Sequence, residues 1–135
     1  MTTQCVIDVR YPDCDAMGIV HHAVYPIWYE IARMDILRSV GLPWEEHHQL
    51  GIDPVMVNLN LDYLAPVRYP ETVTVRTRIK LAEPKKLKLA YECFVGDTCV
   101  NRAESFHIWC RDMKSLRLDE LLPDIYANLQ AACEG

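Results

Sequence analysis

Apolar and polar residues alternate singly in several stretches of the chain, and one long segment near the start does not alternate at all. Residues 4 to 10 set Cys5, Ile7 and Val9 on one face and Gln4, Asp8 and Arg10 largely on the other. That is the period of a half-buried strand. In 55 to 64, Val57, Leu59, Leu61 and Tyr63 alternate with Met56, Asn58, Asn60 and Asp62. In 72 to 82, Val73, Val75, Ile79 and Leu81 alternate with Thr72, Thr74, Arg76, Arg78 and Lys80. Residues 87 to 95 and 98 to 110 read as two long strands joined by Gly96-Asp97. A glycine opening a two-residue loop is the mark of a tight hairpin.

The segment that breaks the alternation is predicted as a helix from Pro26 to Val40. Proline suits a first helical turn, where a missing N–H costs nothing. Gly41 and Pro43 then end the helix. Trp28, Ile31, Ala32, Ile36, Leu37 and Val40 cover several sides of it, and only Glu30, Arg33, Asp35 and Arg38 interrupt them. Such a helix needs a wrapping layer. Residues 43 to 50 predict a short helix stopped by Gly51, and Asp119 to Cys133 a terminal one with Leu122, Ile125, Leu129 and Ala132 at helical spacing. The expected architecture is α+β: one strand, one long central helix, then four strands in meander order, giving an antiparallel sheet of about five strands curled around the helix.

At 135 residues the chain is expected to form one domain, residues 1–135. No apolar run approaches the ~20 residues of a membrane helix, and Met1-Thr2-Thr3-Gln4 has neither the basic nor the apolar part of a signal peptide. The expected location is therefore the cytoplasm. There the six cysteines are expected to be reduced thiols, and with no C-x-x-C among them a zinc or redox site has little support. A net charge of −5 argues against nucleic acid or an anionic membrane as a general partner.

Three groups of residues could carry chemistry. Asp13 and Asp15 stand two apart in Y-P-D-C-D-A-M-G, just before the long helix. They read either as turn formers or as a carboxylate placed beside the unpaired N–H groups of a helix start. The pairs His21-His22 and His47-His48 lack metal-ligand spacing and read as surface or capping residues, while His107 falls on a core face. Lys85, Lys86 and Lys88 form a basic cluster at the start of a strand, either a solvated edge or a landing place for phosphates, to which Arg68, Arg76 and Arg78 could add.

The stretch Y-P-D-C-D-A-M-G-I-V-H-H-A-V-Y-P-I-W-Y-E-I-A-R resembles the start of the hot-dog-fold acyl-CoA thioesterases, the 4-hydroxybenzoyl-CoA thioesterase group and its short-chain relatives in particular. The order of elements agrees along nearly the whole chain, including Gly41-Leu42-Pro43-Trp44, and fades in the terminal helix. The resemblance implies a hot-dog fold and hydrolysis of a small or medium acyl-CoA, aliphatic or aromatic. It puts the catalytic carboxylate on Asp15, leaves Asp13 to shape the loop, and puts the carbonyl-polarising N–H on His22. Substrate-lining positions fall on Tyr25, Glu30, Trp44, Asp53, Pro54 and Val55, and CoA phosphates on Lys85 and Lys86, although E-P-K-K-L-K-L departs from the Gly, Ser and Thr often found there.

The same resemblance implies a homodimer or homotetramer with sites between subunits; no cofactor is expected beyond the coenzyme A of the substrate, and no metal, given the absent ligand spacing. Asp15 would act alone, as nucleophile or as general base. Two other classes stay open from the residues: a related enzyme taking acyl groups from a carrier protein, and a non-catalytic acyl-CoA binding module.

Overall fold

A computed structural model describes residues 1–133. In chain order the elements are β1 (Thr2–Asp8), α1 (Val24–Ser39), α2 (Trp44–Leu50), β2 (Ile52–Tyr63), β3 (Thr72–Ala82), β4 (Lys86–Val95), β5 (Thr98–Arg111), β6 (Lys114–Ser115), α3 (Leu118–Leu121) and α4 (Pro123–Ala132). The strands make one antiparallel sheet in the order β1-β3-β4-β5-β2, with β6 paired to β5.

The expected meander holds for β3, β4 and β5 but not for β2, which lies beside β5 at the far edge, with Ile52 opposite Arg111 and Tyr63 opposite Asn101. Alternation tells which face a residue takes, not which strand stands beside it. Pro54 offers the physical reason, since a proline without an N–H belongs on an edge strand. Residues 64–71 cross back to β3 and are tied to the start of the chain where the Val20 N–H donates to the Val67 carbonyl at 2.8 Å.

Helix α1 begins at Val24, with Pro26 in its first turn, and its end is held by Gly41 at φ +98° and by an amide hydrogen bond from Asn128 of α4 to the Val40 carbonyl, 2.9 Å. Tyr25, Trp28, Tyr29, Ala32, Ile36 and Leu37 are buried, at the three- and four-residue spacing of one helical stripe. The sheet covers only that side: Ile27 and Ile31 remain 54% and 43% exposed. Facing the helix are Val73, Val75 and Ile79 of β3, Leu87, Leu89, Tyr91 and Cys93 of β4, and Ala103 and Trp109 of β5. The outer face is polar, with Glu104 between Lys80 and Lys88 at 3.7 and 3.6 Å.

Gly96, at φ +57°, makes the β4–β5 turn as expected. A second hairpin, β5–β6, turns on Asp112 and Met113, both at positive φ. Neither is the glycine or asparagine that normally announces such a turn, so it left no sequence signal. The terminal helix is two pieces, α3 and α4, because Pro123 restarts the helix rather than continuing it.

Candidate active site

The acidic turn is built by its backbone. Asp13 is buried, and one of its oxygens accepts the Arg10 N–H at 2.8 Å while the other takes the Arg10 guanidinium at 2.9 Å. Its carbonyl accepts the His21 N–H at 2.8 Å, so Asp13 clamps both ends of the loop. Asp15 is held differently. Its N–H reaches the Ile19 carbonyl at 2.8 Å, its carbonyl takes the Gly18 N–H at 3.0 Å, and its Oδ1 accepts the Met17 N–H at 2.8 Å. Gly18 closes this turn at φ +78°, a conformation other residues resist. Among the described residues nothing binds Asp15 Oδ2. The backbone thus aims a half-buried carboxylate and leaves one oxygen open.

Asp15 lines a cleft of about 520 Å³ together with Met17, Ile19, Val20, His22 and Tyr25 from the loop and helix start and Tyr63, Leu64, Ala65 and Pro66 from the end of β2 and beyond. His22 precedes α1 by two residues. Among the described residues its N–H has no acceptor, while its carbonyl takes the Tyr63 hydroxyl at 2.8 Å. The neighbouring Ala23 N–H is satisfied by His21 Nδ1 at 3.0 Å, so His21 is a capping residue. Burial pushes the Tyr25 phenol up to about 12, so this wall of the cleft stays neutral. A carboxylate and a free N–H at the positive end of a helix suit attack on a carbonyl and stabilisation of the resulting oxyanion.

The structure brings Asp15, His22 and Tyr25 together. It does not bring the remaining expected residues to that cleft within one chain. Glu30 is exposed further along α1, and Trp44 stacks on His48 with ring centres 4.5 Å apart. Asp53 lies 3.6 Å from His47 Nδ1, the Pro54 carbonyl is bonded to His107 Nδ1 at 3.0 Å, and Val55 follows on β2. Lys85 and Lys86 are exposed at the β3–β4 turn. Asp53 pairs with Cys110 and Lys86 with Ile108, whereas Tyr63 at the cleft pairs with Asn101. These groups therefore stand at opposite ends of β5, about 25 Å apart at the usual rise per residue.

His47, expected as a surface or capping residue, is buried and bonded to the Ile52 carbonyl at 2.8 Å. The cleft wall Tyr63 to Pro66 was not expected, since its apolar run read as the end of a strand. Among the described residues no cluster of three His, Cys, Asp or Glu side chains could hold a metal.

The thioesterase-like superfamily model matches residues 9–129, from the end of β1 into α4. This chain belongs to the thioesterase-like superfamily. Its sheet around one long helix is the hot-dog fold. The chain is 33% identical to a putative acyl-CoA thioesterase, YneP, of Bacillus subtilis, over 82% of this chain and 80% of that protein. It is 31% identical to the acyl-CoA thioester hydrolase YbgC of Escherichia coli O6:H1, over 92% of both. The crystal structure of a DHNA-CoA thioesterase from Staphylococcus aureus superposes with a TM-score of 0.90 at 29% identity, covering 96% of this chain and 91% of that one.

Proposed function

We propose that this thioester hydrolase acts on acyl-CoA, with Asp15 as its catalytic carboxylate and the His22 N–H as the group that polarises the thioester carbonyl. Membership of the thioesterase-like superfamily and the named thioester hydrolases among its relatives support the reaction class. One observation carries the assignment within the chain: Asp15, with one carboxylate oxygen unbonded among the described residues, and His22, whose helix-start N–H is likewise unbonded, line one cleft.

With the carbonyl oxygen against the His22 N–H, charge developing in the tetrahedral state falls at the positive end of α1. Asp15 then acts in one of two ways. Its free oxygen bonds to the carbonyl carbon, the C–S bond breaks, CoA leaves as thiolate, and water hydrolyses the mixed anhydride. Alternatively it takes a proton from water, and the hydroxide adds to the same carbon. A thiolate departs without much acid help, so a lone carboxylate suffices on either route.

The reading also makes the protein a homodimer. β2 is a free edge with Met56 and Val57 exposed, a feature proteins normally cover. Two copies pairing β2 antiparallel about a two-fold axis would set the Tyr63 end of one strand beside the Asp53 end of the other. Trp44, Asp53, Pro54, Val55, Lys85 and Lys86 would then complete the site of the neighbouring copy. Among the described residues no helix is long and apolar enough to cross a membrane; the location we propose is the cytoplasm.

The deciding experiment is hydrolysis of an acyl-CoA panel (short, medium and long aliphatic, benzoyl, 4-hydroxybenzoyl) by wild type and Asp15→Asn. Thioester absorbance should be followed directly, because the partly exposed free thiols among the six cysteines would add to a thiol-dye signal. Asparagine still offers Oδ1 to the Met17 N–H, so the turn survives. The expected loss is at least ~10²-fold in rate. A variant of near-normal activity removes Asp15 from the mechanism, and a wild type active only on carrier-protein esters moves the substrate away from free CoA.

A further inference from the structure

Four hydrogen bonds run in series beneath α1, from the helix to the edge strand. Arg33 Nη1 donates to the Tyr91 hydroxyl at 3.2 Å, and that hydroxyl meets Ser105 Oγ at 2.7 Å. Ser105 Oγ meets His107 Nε2 at 2.7 Å, and His107 Nδ1 meets the Pro54 carbonyl at 3.0 Å. Tyr91, Ser105 and His107 are all buried.

The two ends fix the direction of every link. A guanidinium can only donate and a carbonyl can only accept. His107 therefore carries its proton on Nδ1 and accepts at Nε2. Ser105 donates to it and accepts from Tyr91, which in turn accepts from Arg33. Each hydroxyl gives one bond and takes one, so no link reverses alone. Burial and the charge of Arg33 both hold the imidazole neutral, the form this order requires.

The series ends where the sheet is least regular. Pro54 has no N–H to give to β5, and the β2–β5 register slips between Met56 and Asn58. Asp53, Pro54 and Val55 thus lie on a free edge, ahead of a bulge. His107, two residues from the ladder partner of Pro54, holds this peptide from the neighbouring strand with its side chain. Burying polar side chains in series gains little stability over apolar ones of the same shape. What a fully paired network adds is a fixed position.

We infer that His107, held by Ser105, Tyr91 and Arg33, is a positioning residue that fixes the Pro54 peptide for the active site of the neighbouring copy. This rests on the two-fold reading, in which Asp53, Pro54 and Val55 complete the cleft of the other chain. Within their own chain they stand at the far end of the sheet from the cleft. The series touches no reacting atom. Its loss weakens the hold on substrate and leaves the chemical step alone.

The test measures kcat and KM for CoA esters, and Kd for a CoA thioether by calorimetry. His107→Leu should raise KM and Kd about tenfold and keep kcat within about threefold. His107→Asn, whose amide can still donate to the Pro54 carbonyl, should stay within about threefold of wild type in all three. Ser105→Ala, which frees the imidazole to take its other tautomer, should raise KM as well, and it carries the test if His107→Leu does not fold. Either variant, unfolded and refolded with an equal amount of Asp15→Asn, should return about a quarter of all sites to wild-type KM, because both lesions then fall on one site of each mixed dimer. An unchanged KM in Ser105→Ala or in a folded His107→Leu overturns the inference. So does a mixture without recovery when Asp15→Asn mixed with Lys85→Ala/Lys86→Ala does recover, since the effect then stays within its own chain. If neither mixture recovers, the two-fold reading falls and takes this inference with it. The Kd shift in a protein that hydrolyses nothing keeps the positioning role and removes the Asp15 mechanism.

Discussion

The Tyr63 hydroxyl donates to the His22 carbonyl across 2.8 Å, joining the end of the edge strand β2 to a cleft residue whose own N–H has no acceptor among the described residues. A peptide plane held through its carbonyl keeps its N–H aimed as well, because the two are one rigid unit. Tyr63→Phe deletes that hold and little else, since the side chain is half exposed. The expected outcome is a fall of about three- to tenfold in kcat, the scale of one neutral hydrogen bond, with an unchanged melting temperature. Equal kcat for both proteins would show that the helix start needs no such tether.

Asp13 and Asp15 should separate cleanly. Asp13 is buried and accepts both the backbone and the guanidinium of Arg10, although that guanidinium is largely exposed and adds little by itself. Asp13→Ala orphans the Arg10 N–H and is expected to cost about 1–3 kcal/mol in urea unfolding. Asp15→Asn should leave the midpoint where it was and remove activity. A stable, inactive Asp13→Ala would reverse the two roles.

What the sequence conveyed follows from what alternation and punctuation can encode. The faces of β3, β4 and β5, the glycine-marked hairpin, the extent of α1 and the carboxylate before it are local properties, visible as spacing. The place of β2 in the sheet is not local, and Pro54 was the only hint of it. The cleft wall from Tyr63 to Pro66 and the burial of His47 depend on what lies opposite them in space. Lys85, Lys86 and Asp53 to Val55 carry the same lesson, because a chain read alone cannot say whose site they serve.

His107 makes acid stability a measurable quantity. It is fully buried, its Nδ1 donates to the Pro54 carbonyl at 3.0 Å, and its Nε2 faces Ser105 Oγ at 2.7 Å, which in turn meets the Tyr91 hydroxyl at 2.7 Å. Burial, helped by the charge of Arg33, lowers its pKa from the model-compound value of 6.5 to about 4. Between these two values the unfolded chain binds a proton that the folded chain refuses, so stability rises with pH there and is lost as pH falls through the window. The full contribution is about 3 kcal/mol. Urea unfolding at several pH values from 7 to 4 should therefore show a slope that His107→Asn lacks. Identical slopes would mean that the imidazole titrates as freely folded as unfolded.

The separation of Asp15 from Lys85 and Lys86 by the length of the sheet allows a mixing test of the two-fold arrangement. If each site takes its carboxylate from one copy and its phosphate-binding lysines from the other, Asp15→Asn and the double variant Lys85→Ala/Lys86→Ala damage opposite halves. The first should lose kcat. The second should raise KM for CoA esters and leave kcat largely intact. Unfolded and refolded together in equal amounts, they form mixed dimers in which one site carries both lesions and the other none. About a quarter of all sites then regain wild-type kinetics, as random pairing about a two-fold axis requires. The same reasoning predicts that Val57→Glu on the exposed edge yields a monomer by light scattering and an inactive one. A mixture that shows only the average of its two components would mean that the lysines serve the cleft of their own chain or none, and an active Val57→Glu monomer would mean that one chain holds the whole site.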